Sequence, residues 1–191
     1  MISAKIRIFN LQLEIRRFRQ EWEIFMQKRV FQILADNNAG VLSRITGLFS
    51  RRGYNIDSIT AGITADPRYS RITIVTSGDE DILDQIENQV EKLVDVRDVR
   101  ELKPDKSVYR ELCLIKVHST PEKRQHIISI ADIFRANIVD VNVDSLIVEL
   151  TGNQTKIEAF MGLLRDYEIL EVARTGIAGL SRGSEELVCL D

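Results

Sequence analysis

Twice along this chain the hydrophobic period switches from 2 to 3.6 and back in the same order, and that repetition limits the fold more than any other feature. VFQILA (30–35) is a short apolar run with strand character. Val41, Leu42, Ile45, Leu48 and Phe49 then fall on one helical face, with Ser43, Arg44, Arg51 and Arg52 elsewhere. Gly53 is placed to stop that helix. Residues 55–63 and 70–76 read as strands joined by the turn-forming Asp66-Pro67. GDEDILDQIENQVEKL (78–93) supplies a second helix, with acidic residues in its first turn where the helix dipole favours them. Residues 94–102 read as a last strand.

After the polar stretch Lys103-Pro104-Asp105-Lys106-Ser107 the order returns. Residues 111–118 read as a strand, and 121–134 as a helix opened by Thr120-Pro121. Strands follow at 138–143 and 145–150, a helix at 154–165 and a strand at 168–174. Two copies of β-α-β-β-α-β predict an α+β protein of two tandem ferredoxin-like sandwiches, each with two helices on one face of an antiparallel sheet. The expected domains are 29–103 and 110–183, with a linker at 104–109, a tail at 184–191 and an N-terminal helical extension at 1–28. In that extension Phe18, Trp22, Phe25 and Met26 recur at helical spacing, predicting one amphipathic helix near 11–27. It is too short for a helix-turn-helix and reads as a docking or dimer-swapping arm. The alternative is that Met26 is the original start.

Charge and cysteines narrow the function class. The 191 residues are 44% apolar and carry a net charge of −3, so the chain is not built to coat nucleic acid or an anionic membrane. No apolar run reaches membrane-spanning length, and the first residues lack the uncharged core of a secretory signal. Cys113 and Cys189 form no metal-type spacing and no disulfide framework. Cys113 reads as a small buried apolar side chain and Cys189 as a thiol in the tail. A reducing, cytoplasmic location is the expectation.

DNNAGVLSRITGLFSRRGYNID (36–57) carries more than helix signals. Asn37 or Asn38 can cap the helix. Capping does not need Gly40 in the first turn, where glycine costs about 0.5–1 kcal/mol relative to alanine. Glycine there admits a ligand close to the backbone, and helix N-terminal N–H groups favour an anion such as a small carboxylate. Asn55 is expected to open the next strand beside the first and to reach the same place with a donor and an acceptor.

NNAGVLSRITGLFSRRGYNIDSITAG, DPRYSRITIVTSGDE and EVARTGIAGLSRG resemble the acetolactate (acetohydroxyacid) synthase small regulatory subunit. The resemblance runs in order from about residue 28 to 183. The departures are the residues ahead of it and the tail SEELVCLD. It implies that the first half is an ACT domain, a ferredoxin-like module that binds amino acids and pairs across a two-fold axis. It further implies a chain without catalysis of its own that activates a large catalytic subunit and confers feedback inhibition by valine in branched-chain amino acid biosynthesis. The implied effector site is Asn37, Gly40, Val41, Leu42, Asn55 and Ile56, with the apolar residues lining a pocket for the isopropyl group. No cofactor or metal is implied in this chain; thiamine diphosphate, magnesium and FAD would belong to the catalytic partner.

Two rival readings have little support. An enzyme needs a nucleophile–base pair, a metal cluster or a cofactor loop, and the sequence has no GxGxxG or P-loop spacing. His118 and His126 read as a surface pair. An amino-acid-responsive transcription factor is suggested only by RRFRQ (16–20), which reads as a solvated helix face. GIAGLSRG (176–183) is glycine-rich without a following helix and reads as a C-terminal loop that meets the partner subunit.

Overall fold

The computed structural model describes residues 27–184. The helix expected near 11–27, the Met26 alternative, Cys189 and nearly all of the tail lie outside them, apart from Gln27, which opens a strand. The chain divides into two compact units, with residues 58–62 grouped in the second although they pair in the first sheet; by sheet pairing the elements fall into two sets.

In the first, β1 (Gln27–Asp36) leads to α1 (Val41–Arg52), then β2 (Ser58–Ile63), β3 (Tyr69–Gly78), α2 (Glu80–Val90) and β4 (Val96–Glu101). The sheet order is β2-β3-β1-β4, with β1 antiparallel to both β3 and β4. Val41, Ile45, Leu48 and Phe49 on α1 and Leu83, Ile86 and Val90 on α2 are buried, as are Phe31, Ile33 and Ala35 at alternate positions of β1. Each fully buried side chain of this size contributes roughly 1.5–3 kcal/mol. The other positions of β1, namely Val30, Gln32 and Leu34, are buried as well.

Local chemistry sets the helix ends. Gly53 takes φ 69, letting Gly53 N donate to Ser50 O and Tyr54 N to Phe49 O, while the Tyr54 ring meets Phe49 edge-on at 6.0 Å. Arg51 and Arg52 sit favourably in that last turn. Asp79 caps α2 by accepting from Ile82 N at 2.8 Å.

In the second unit, β5 (Ser107–His118) is followed by α3 (Pro121–Ile133), β6 (Asn137–Val141), β7 (Ser145–Gly152), α4 (Gln154–Leu163), β8 (Ile169–Arg174) and β9 (Ala178–Ser181). The order is β6-β7-β5-β8, with β9 antiparallel to the first residues of β5. Cys113, Ile115, Val117, Leu146, Val148, Leu150, Ile127, Ile157 and Phe160 form its core. Both units therefore have the expected ferredoxin-like arrangement of two helices against an antiparallel sheet. Cys113 is fully buried as expected, and burial pushes its thiol above the usual range.

Three expectations need correction. The strand expected at 55–63 begins at Ser58, so Asn55 and Ile56 lie in the segment before it. It does not run beside β1 either, because β3 lies between them. GIAGLSRG is not a loop throughout: Ala178–Ser181 pairs with Ser107–Arg110, and β5 starts four residues earlier than its expected start at 111. β9 leaves no readable alternation because Gly179 is one of its four residues and Gly176 stands two positions before it. A Cβ on Gly179 would come within 2.7 Å of Leu102 Cδ1 and 3.0 Å of Tyr109 Cδ1, so the strand approaches closely only without one.

Candidate functional site

The turn between β1 and α1 is fixed from three sides. Asp36 N donates to Asp95 O at 2.8 Å, and Arg97 grips the Asp36 carboxylate with two bonds of 2.7 and 2.6 Å. The Arg97 hydrogen bond holds the Asp36 carboxyl below the usual carboxylate range. Arg44 makes a matching two-point pair with Asp95, at 2.6 and 2.9 Å. Asn37 N donates to Arg68 O at 2.7 Å, its Nδ2 donates to Pro67 O at 2.9 Å, and its Oδ1 accepts from Ser70 Oγ at 2.9 Å.

Neither Asn37 nor Asn38 caps α1, contrary to the expectation. The N-cap is Gly40 itself, with φ 86 and no side-chain cap hydrogen bond. Its left-handed backbone gives a second reason for glycine beyond close approach. A Cβ there would lie 3.2 Å from Arg44 Nη1, so the guanidinium stands beside the helix start. Among the four described helices, α1 alone has neither a side-chain cap nor an acidic residue in its first turn. Its N-terminal N–H groups and positive dipole end suit an anion. Val41 is buried in the core, whereas Leu42 is 44% exposed.

Asn55 and Ile56 are elsewhere. Thr76 Oγ1 donates to Asn55 O, and Asp57 N donates to Val75 O at 2.8 Å. These contacts lie at the end of β3, whereas Asn37 is tied to Ser70 at its beginning. Ser70 and Thr76 lie six steps apart along the strand, which is roughly 20 Å. The twelve residues of α1 span a similar distance, about 18 Å. Within one chain the six predicted residues thus form two groups: Asn37, Gly40, Val41 and Leu42 at one end of the sheet, Asn55 and Ile56 at the other. The expectation that Asn55 reaches the Gly40 turn of its own chain is incorrect, because β2 starts where α1 ends. An order of elements does not reveal this; a strand-by-strand layout of the βαββ unit does.

Among the described residues no group of three His, Cys, Asp or Glu side chains is placed to hold a metal ion, and no helix is long and apolar enough to cross a membrane.

Comparison with known proteins adds identity to this geometry. Residues 31–98 match the family model described as the AHAS small subunit-like ACT domain, and residues 110–183 match that described as the small subunit of acetolactate synthase. The chain is 47% identical over 159 residues to a probable acetolactate synthase small subunit of Archaeoglobus fulgidus, covering 83% of this chain and 99% of the relative. It is 46% identical over 159 residues to the acetolactate synthase isozyme 3 small subunit of Escherichia coli, covering 83% and 98%. The crystal structure of an acetolactate synthase small subunit from Thermotoga maritima superposes with a TM-score of 0.76 at 40% identity, covering 83% of this chain and 99% of that one.

Proposed function

Because the chain belongs to the family of acetolactate synthase small subunits, we propose that it is the regulatory subunit of such an enzyme, raising the activity of a large catalytic partner and inhibiting it when valine or a related branched-chain amino acid binds. In this reading the chain has no acetolactate synthase activity of its own, and thiamine diphosphate, magnesium and FAD reside in the partner. It acts in the cytoplasm and binds no nucleic acid.

The effector lies between two copies of the first unit. The observation that carries this reading is the separation of the two residue groups by roughly 20 Å along one sheet. A free amino acid is far smaller than that gap. A single ligand touches both groups only when one copy supplies the Gly40 turn and a second supplies Asn55. A two-fold dimer meets that condition twice. The carboxylate takes the first-turn N–H groups beyond Val41, whose own N–H donates to Asn38 O at 3.3 Å, at a helix start with no acidic residue in its first turn and with the Asp95-paired Arg44 beside it. Asn55 receives the ammonium. Leu42 and Ile56 offer apolar surface for the branched side chain, while Val41 supports the turn from within the core.

Mixed dimers test this directly. Gly40→Asp and Asn55→Ala chains are each expected to lose valine binding when assayed alone. Co-refolded, they form dimers in which one of the two sites draws both its groups from unaltered positions. Valine binding by calorimetry returns in the mixture, and valine inhibition of the reconstituted holoenzyme returns in part. A mixture as inert as its parents would refute the shared site. Acetolactate production from pyruvate by the small chain alone would refute the regulatory assignment.

A further inference from the structure

Asn55 is itself held by a neighbour. Its Nδ2 donates to Asp57 Oδ1 at 2.7 Å. The other carboxylate oxygen of Asp57 accepts from Ser77 Oγ at 2.6 Å and stands 3.6 Å from Lys28 Nζ. Lys28 and Ser77 are direct cross-strand partners on β1 and β3, so sheet register assembles both supports beside the segment that precedes β2. The fully buried Thr76 hydroxyl donates to the Asn55 carbonyl and fixes the backbone of the same residue.

A primary amide is polar in two senses: its nitrogen donates and its oxygen accepts. One Nδ2 hydrogen is committed to Asp57, which fixes which way the amide faces and leaves Oδ1, without a protein partner among the described residues, as its acceptor. An ammonium requires an acceptor, and a carboxylate requires a donor. We infer that Asp57 is a positioning residue of the effector site, which fixes the Asn55 amide so that it presents its oxygen and thereby selects the ammonium end of an amino acid. This rests on Asn55 being an effector contact as proposed above. Asp57 acts through Asn55: one of its oxygens accepts from Asn55 Nδ2 and the other from Ser77 Oγ, with Lys28 Nζ 3.6 Å away.

Calorimetry of the full chain with valine and with 3-methylbutanoate, which lacks the ammonium, provides the test. The unaltered chain prefers valine by at least about tenfold, the worth of one bond to a charged group. In Asp57→Asn the new amide can donate to Asn55 Oδ1, so the Asn55 amide is free to turn its nitrogen outward. Valine affinity then falls by about tenfold while that for 3-methylbutanoate is unchanged, and Ser77→Ala shifts the ratio the same way by less. If both ligands weaken by the same factor in Asp57→Asn, Asp57 is merely structural and the inference fails. Ser77→Ala carries the test if thermal unfolding shows that Asp57→Asn does not fold. Valine bound equally by Asn55→Ala and the unaltered chain would instead remove Asn55 from the site, and the inference with it.

Discussion

The same topological position is finished differently in the two units. In the first, the turn after the first strand ends in Gly40, and α1 starts with no capping side chain and no acidic residue. In the second, Thr120-Pro121-Glu122 opens α3, and the Glu122 carboxyl is held below its usual range by its own backbone N–H and by the Thr120 hydroxyl. A helix start attracts an anion in either case. The second unit supplies that anion from its own chain, and the first leaves the place open. One topology thus yields an open helix start and a closed one through a few residues at a single turn.

The central strands differ too. β1 is buried at six consecutive positions, Val30 to Ala35, whereas β5 from Glu111 onward alternates between buried and half-buried. ELCLIKVH alternates as a strand with one face in a core does, whereas VFQILA shows no alternation.

The largest expected effect tests the strands. Leu34 lies opposite the helix-facing positions of β1 yet is only 5% exposed, so Leu34→Ala should lower stability to urea by about 2–5 kcal/mol. Leu114, on the corresponding face of β5, is half-buried, and Leu114→Ala should cost less than half as much. Equal losses would erase the difference in burial.

Next come the two helix starts. Gly40→Asp should weaken valine binding by about ten- to hundredfold, since it places a carboxylate where the effector's own would lie. Gly40→Asn, which tolerates positive φ, should weaken it less and so separate charge from backbone strain. Glu122→Gln should leave valine affinity unchanged in the same titrations; a changed affinity would show that the second helix start takes part. Ser50→Ala, on the exposed side of α1, is expected to be neutral as well.

Smaller effects follow from ionisation. The fold lowers the Glu122 pKa, so its stabilisation is present above the ordinary carboxylate value and is lost as pH falls through the folded one. Thermal unfolding of Glu122→Gln should lie slightly below that of the unaltered chain at pH 7 and meet it in acid. Glu87 is the opposite case. Burial raises its pKa, with further repulsion from Glu101, so the fold favours the neutral acid and loses stability as pH rises above the ordinary value. Glu87→Gln should therefore raise stability at pH 7, by about 0.5 kcal/mol or less, and have no effect near pH 4. A gain that persists at pH 4 would need another cause.

The sequence by itself determined the β-α-β-β-α-β order in both units, though not the added strand β9, because period, glycine stops and caps act within a few residues. Gly53 ends α1, Asp79 starts α2, and Val41, Ile45, Leu48 and Phe49 face the core as their spacing requires, whereas Leu42, expected on the same face, is exposed. It also marked Gly40 as unusual, although the left-handed backbone there was legible only in three dimensions. Tertiary structure decided what the polar side chains near that turn do. Asn37 reads locally as a cap, but β3 returns to place Pro67 and Ser70, 30 and 33 residues away, within reach of its amide. It likewise decided that Asn55 lies a full helix length from Gly40, and that four residues near the end of the second unit pair with the first residues of β5. Such partners are set by sheet register and by the direction in which each strand runs, and neither leaves a periodic trace in the segments concerned.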